Sequence, residues 1–246
     1  MMGQEMWRAM ASAVQSWDVR RPTLLTIYSI AAAADVALAD RSRRRARWFT
    51  KPLLMPLLAG RIVGVEGADD TKRLVMAGLA SSGVGDVALL GDGERSFAAG
   101  LASFLVAHCF YLAALAKRRR GGARRRRGIA AAYVLAWCGL NLVLFRRTGR
   151  LRIPVLVYGT ALVAMAMAAL DTGDPAVAAG GALFLASDSV LALDTFRATR
   201  LPHTDALVMV AYATAQALIA TGMVRPDRRP RPAGEHRGTS RPQLPS

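Results

Sequence analysis

Residues 78–91, GLASSGVGDVALLG, and residues 180–194, GGALFLASDSVLALD, decide the fold. Each is an apolar segment of helical length with an aspartate inside it, Asp86 in the first and Asp188 in the second. An ionisable side chain at membrane depth is costly, so it marks a functional site whose partner has to be named. Each aspartate is read as the other's partner, across a bundle of membrane helices; the alternative is that each pairs with Lys51, a tyrosine or backbone groups and holds the bundle together.

Outward from these segments, the chain repeats the same texture. Of its 246 residues, 53% are hydrophobic, gathered into runs of about 18 to 22 residues, the length that crosses a bilayer. The formal charge of +16 lies mostly between those runs as arginine clusters. This pattern describes a polytopic membrane protein with basic loops. It speaks against a nucleic-acid binder, because no stretch is polar enough to form the soluble domain that would carry a basic patch. Cys109 and Cys138 both sit in apolar runs, and no CxxC or HxxxH spacing suggests a metal site.

The fold class that follows is all-α, a bundle of about eight transmembrane helices. Residues 1–22 read as a mildly basic lead-in without the pattern of a signal peptide, residues 23–223 as the membrane domain, and residues 224–246 as a disordered Pro/Arg tail. The expected spans are about 23–40, 51–65, 73–91, 96–116, 128–145, 153–170, 176–194 and 204–223. Pro52 suits a helix start, and Pro56 should kink the second span. Trp48 and Phe49 read as an interfacial anchor in the loop before it. In the third span Gly78, Ser82 and Asp86 recur every fourth residue, so they share one face. That face is small and then acidic, which lets a neighbouring helix approach where the carboxylate sits.

In an up-and-down bundle, odd spans end where even spans begin. Asp35, Asp86, Asp188 and Asp194 are late in odd spans and Lys51 opens an even one, so all five lie toward the same membrane face. Asp86 is about five residues from the end of its span, roughly 7–8 Å below that surface at 1.5 Å per residue. Asp188 comes out at a similar depth. The result is a polar pocket with a lysine at its mouth. His108 and Tyr111 lie further along the fourth span, as the pocket floor or as a packed hydrogen bond. Tyr212 and Gln216 share a face of the eighth span, lining the pocket or holding helices together. An even number of spans puts both termini on one side with the basic Lys117–Arg127 loop, which favours termini inside. The Arg41–Lys51 and Arg146–Arg152 loops pull the other way.

Several segments are similar to those of a known family. Lys51–Leu58, KPLLMPLL, resembles the KPLxMPLL segment of the YhhN/TMEM86 family. Gly85–Leu90 resembles its SxxGDxxLL segment, Phe97–Tyr111 its FxxGxxxFxxAHxxY segment, and Gly181–Leu193 its GAxxFxxSDxxLA segment. Tyr212–Gln216 approximates a late YxxAQ-like motif. The resemblance covers residues from about 50 to 220, in order. It implies an eight-helix membrane hydrolase, a lysoplasmalogenase, which cleaves the vinyl ether bond of lysoplasmalogens to a fatty aldehyde and a glycerophospho-ethanolamine or -choline. The family's acidic positions match Asp86 and Asp188. The Ala- and Arg-rich composition points to a GC-rich genome, and the expected location is a bacterial inner membrane.

The chemistry suits the residues. A vinyl ether hydrolyses when a proton reaches its β-carbon and water captures the resulting oxocarbenium ion. One protonated carboxyl and one ionised carboxylate supply both needs, and two carboxylates close together in a low-dielectric site divide in that way. Neither metal nor organic cofactor is called for. Lys51 is expected to hold the substrate phosphate as a point charge, with Asp35, His108, Tyr111, Tyr212 and Gln216 as further substrate-binding residues. A serine hydrolase is disfavoured, since there is no GxSxG elbow. GLASSGVGD lacks the Lys-Ser/Thr of a phosphate loop. The alternative from another class is a carrier that uses the aspartates for proton or cation coupling. Such a protein should show broken helices in corresponding halves.

Overall fold

Long apolar runs separated by charged turns leave the backbone one economical solution, helices that satisfy their own hydrogen bonds. The computed structural model describes residues 21–39, 44–65, 69–196 and 203–225, and among these there is no strand. Eight long helices form: α1 Arg21–Ala37, α2 Arg44–Val63, α3 Asp69–Ala88, α4 Gly93–Ala116, α5 Arg127–Leu144, α6 Arg152–Asp171, α7 Pro175–Thr195 and α8 Thr204–Met223. The bounds follow the expected spans closely, and the eighth coincides. The expected lead-in and tail lie almost wholly outside the described residues.

Five helices, α4 to α8, are long and apolar enough to cross a membrane by length and composition; α1 is apolar over the shorter Thr23–Ala37. The charges that dilute α2 and α3 are Arg44, Arg45, Arg47, Lys51 and Arg61 in the one, and Asp69, Asp70, Lys72, Arg73 and Asp86 in the other. Apolar side chains such as Leu135, Leu142 and Ile153 stand exposed on the outer surface, as they do where lipid is the solvent.

The main departure from expectation is in α2. The basic segment ahead of Lys51 is helical from Arg44, so Pro52 and Pro56 both lie inside one continuous helix rather than at its start. Each proline removes one ladder hydrogen bond, but tertiary packing holds the helix: Leu54, Met55, Leu58 and Ile62 are all buried. Trp48 and Phe49 are therefore helical, and both are exposed.

Neighbours in sequence mostly pack as neighbours in space, with the α3–α4 and α7–α8 pairs the most intimate. The exception is α5. Helix α4 packs directly on α6, and α5 lies outside against α6. Helix α8 runs against α1, α2, α3 and α7, near the centre. Small residues permit these approaches. A Cβ on Gly78 would fall 2.4 Å from the Tyr111 ring, and one on Gly181 would fall 2.7 Å from the Ala169 Cβ. At the start of α7, Asp174 accepts hydrogen bonds from the amides of Ala176 (2.8 Å) and Val177 (3.1 Å), with Pro175 at the first helical position. That cap suits an N-terminus whose amides have no helical partners.

Candidate active site

Side chains from α2 to α8 line a cavity of about 250 Å³. Most of its wall is apolar, including Leu101, Phe104, Leu162, Leu185 and Met209. Its polar groups include Arg47, Lys51, Asp86, Tyr158, Asp188 and Tyr212. The cavity lies toward the end of the bundle where α3 and α7 finish and α4 and α8 begin, since its residues come late in the odd helices and early in the even ones.

Asp86 is buried, and its two oxygens have different partners. Lys51 Nζ lies 3.4 Å from Oδ1, and the Tyr212 hydroxyl donates to Oδ2 at 2.8 Å. Behind Tyr212 the hydrogen bonds continue. Gln216 Nε2 lies 3.2 Å from the Tyr212 oxygen and 3.0 Å from Ser82 Oγ, and the Tyr111 hydroxyl donates to Gln216 Oε1 at 2.6 Å. The direction of this chain matters. Because Tyr111 occupies the amide oxygen, the amide nitrogen faces Tyr212, whose single proton is then directed at Asp86. Ser82 and Asp86 both belong to the small-then-acidic face of α3, one turn apart.

Asp188 has another environment. The Tyr158 hydroxyl donates to its Oδ2, and no cation within salt-bridge distance accompanies it among the described residues. Among the described residues the two aspartates thus share a cavity without being hydrogen-bonded to one another: each is bonded to a tyrosine, and of the two Asp86 is the ion-paired one. The two carboxylates share the cavity, while their bonded partners are those of the alternative reading, Lys51 and tyrosines. The reason is steric and local, since α6 and α8 each supply a tyrosine at the right turn. Ser187 donates to the Val208 carbonyl at 3.0 Å and so ties α7 to α8.

The other expected site residues divide by depth. Lys51 and Tyr212 line the cavity. Lys51 is not at the mouth: its side chain is 9% exposed and is engaged by Asp86. The two extra turns at the start of α2 carry the helix past it. Tyr111 and Gln216 are fully buried and stand behind the wall, reaching the cavity only through Tyr212. His108 is also buried behind the wall. Its Nδ1 meets the Phe104 carbonyl, and its ring makes edge contacts with Tyr158 at 5.2 Å and Phe184 at 4.9 Å. Asp35 is fully buried outside the cavity lining, where it accepts from Arg47 Nη2 at 3.1 Å and Thr50 Oγ1 at 2.7 Å. Sequence reading passed over Tyr158, one tyrosine in an apolar run, and Arg47, one of several arginines in a basic cluster. Their sole sequence signal was position: Tyr158 comes early in an even helix, and Arg47 one turn before Lys51.

The YhhN family profile matches residues 46–223 of this chain. The chain is 34% identical to Lysoplasmalogenase TMEM86B of Homo sapiens over 182 residues, which cover 72% of this chain and 76% of that protein. It is 31% identical to Lysoplasmalogenase TMEM86A of Bos taurus over 160 residues, 61% of this chain and 65% of that one. A Lysoplasmalogenase of Mycobacterium bovis is 34% identical over 136 residues, which are 52% of this chain and about half, 51%, of that protein. No solved structure matches the chain.

Proposed function

The chain belongs to the YhhN family, and from that membership we propose that it hydrolyses the vinyl ether of lysoplasmalogens, with Asp188 as acid and Asp86 as base. The observation that carries this reading is the unequal pair of carboxylates in one apolar cavity. Asp86 has a cation at 3.4 Å and a hydroxyl donor at 2.8 Å, the surroundings that stabilise an ionised carboxylate. Asp188 has, among the described residues, the Tyr158 hydroxyl and no cation within salt-bridge distance. With the Tyr158 proton on Oδ2, Oδ1 is the oxygen left to carry the proton of a neutral Asp188.

The reaction then balances without further reagents. Asp188 gives its proton to the β-carbon of the vinyl ether, and the oxocarbenium ion forms beside the Asp86 carboxylate. Water attacks that ion and passes a proton to Asp86. The hemiacetal collapses as Asp188 removes its hydroxyl proton and Asp86 returns one to the departing glycerol oxygen. The products are a fatty aldehyde and a glycerophospho-ethanolamine or -choline, and both carboxyls regain their starting states. The apolar wall takes the alkenyl chain. Fixed donors aimed at the reacting charge need no reorganisation during the step. The Ala- and Arg-rich composition supports residence in a bacterial inner membrane, and the basic Lys117–Arg127 loop favours both termini on the cytoplasmic side with it. The carrier alternative expects paired broken helices, and all eight long helices are continuous over their described residues.

Turnover of a synthetic lysoplasmalogen in heavy water tests the reaction. Purified protein in detergent should release aldehyde carrying one deuterium on the carbon next to the carbonyl, read by mass spectrometry. An acyl lysophospholipid should yield no aldehyde. Aldehyde without that deuterium, or none from folded protein, contradicts the proposal.

A further inference from the structure

We propose that Arg47 anchors the phosphate of the substrate headgroup, held in position by Asp35 and Thr50. The proposal rests on the lysophospholipid reading above and adds the group that recognises its anion. Two cations of α2 reach the cavity wall, Arg47 and Lys51, one turn apart on the same face. Lys51 is the poorer site for a phosphate. Its ammonium is engaged by Asp86 at 3.4 Å, so an anion seated there meets a carboxylate at short range and draws away the charge that keeps Asp86 ionised.

Arg47 is also paired with an aspartate, but through one edge of its guanidinium and away from the Asp86 carboxylate. Asp35, fully buried, takes Nη2 at 3.1 Å and Nε at 3.4 Å, one edge of the guanidinium. Thr50 Oγ1 fixes the same carboxylate at 2.7 Å. The Nη1 edge stays outside that pair, on a side chain that is 12% exposed and lines the cavity. A guanidinium docked through one edge is pre-oriented to offer its remaining N–H groups to a planar or tetrahedral oxyanion. Its own charge is compensated by Asp35 while the cavity lacks substrate, which makes a mostly buried cation tolerable. Arg47 also sits about 6 Å nearer the start of α2 than Lys51, four residues at 1.5 Å each. The glycerol backbone, which separates phosphate from vinyl ether, spans that offset and leaves the reacting bond beside Asp86. Asp35 is therefore a positioning residue, acting through Arg47.

Two substrates separate this role from a structural one: an alkenyl-glycerophosphoethanolamine, and the alkenylglycerol of the same chain without phosphate. For the full-length protein in detergent, kcat/KM should favour the phosphorylated substrate. Arg47→Gln should reduce that preference about 10- to 100-fold, mainly through KM, as loss of a charged hydrogen bond implies. Arg47→Lys should restore part of it. Lys51→Gln should depress turnover of both substrates alike. An unchanged preference in Arg47→Gln, or a preference lost in Lys51→Gln alone, overturns the assignment. If Arg47→Gln does not fold, inhibition of alkenylglycerol turnover by glycerophosphoethanolamine decides: weaker inhibition of Arg47→Lys than of wild type upholds the anchor, and equal inhibition overturns it. Binding of an acyl lysophospholipid needs no turnover. No aldehyde from wild type, with binding weakened by Arg47→Gln or Arg47→Lys, overturns the hydrolase reading and keeps the anchor. Binding that neither variant weakens overturns the anchor.

Discussion

Replacing Lys51 by methionine should cost this protein both stability and catalysis, and the two losses should separate in a double variant. The Lys51–Asp86 pair is 3.4 Å apart, with side chains 9% and 1% exposed. At an effective dielectric of about 20, attraction at that distance is about 5 kcal/mol. Much of it is offset by desolvation in the intact protein. Removing one partner alone leaves the other charge buried without compensation, at a cost of about 3–5 kcal/mol. A carboxylate stranded in this way takes up a proton instead of staying charged. Lys51→Met should therefore lose the base and slow aldehyde release by about 10²-fold or more. The double variant Lys51→Met/Asp86→Asn has no stranded charge, so it should regain most of the stability and none of the activity. Denaturant unfolding in detergent micelles, followed by circular dichroism, gives the cycle. The coupling energy should be about 2 kcal/mol or more, well above the few tenths expected of independent sites. A coupling within about 0.5 kcal/mol of zero, or a double variant that turns over normally, would refute the reasoning.

Other perturbations follow from the same geometry. Tyr212→Phe removes the 2.8 Å donor from Asp86; at about 1.5–3 kcal/mol for a hydrogen bond to a charge, kcat should fall about 10- to 100-fold with KM little changed in steady-state assays. Gln216→Leu leaves Tyr111, Ser82 and Tyr212 without their shared partner, so unfolding should move to lower denaturant by about 1–3 kcal/mol, while Gln216→Glu should retain more stability than Gln216→Leu. Gly78→Ala places a methyl 2.4 Å from the Tyr111 ring, and the forced separation of α3 from α4 should cost about 1–3 kcal/mol; a neutral effect on unfolding would argue against that close approach.

Much of this arrangement was legible in the sequence, because the membrane makes hydrophobic runs and their exceptions unusually informative. Asp86 and Asp188 stood out as acids within apolar helices. Gly78, Ser82 and Asp86 stood out as one face, and that face does meet Tyr111 and the Gln216–Tyr212 chain. What the pattern does not encode is which helices touch. Loop order suggests α4 beside α5, but α4 packs on α6, and that choice sets His108 against Tyr158, while the α6–α7 contact brings Tyr158 to Asp188. Charge is ambiguous for a related reason. Basic residues before an apolar run read as a loop, yet in α2 they extend the helix by two turns, bury Lys51 and bring Arg47 to the wall. Asp35 looked like a pocket residue by depth, and depth alone cannot reveal that Arg47 and Thr50 already occupy it.

The central claim is that two unequal aspartates perform the hydrolysis, and Asp86→Asn and Asp188→Asn test it most directly. Each keeps the side-chain shape and removes the acid–base function. The measurement is aldehyde released from a synthetic lysoplasmalogen by wild type and by each variant, with every protein first shown to be monodisperse and helical in detergent. Aldehyde from wild type, with both variants at least about 10²-fold slower, is the expected result. Near-normal aldehyde release from either folded variant would contradict the account.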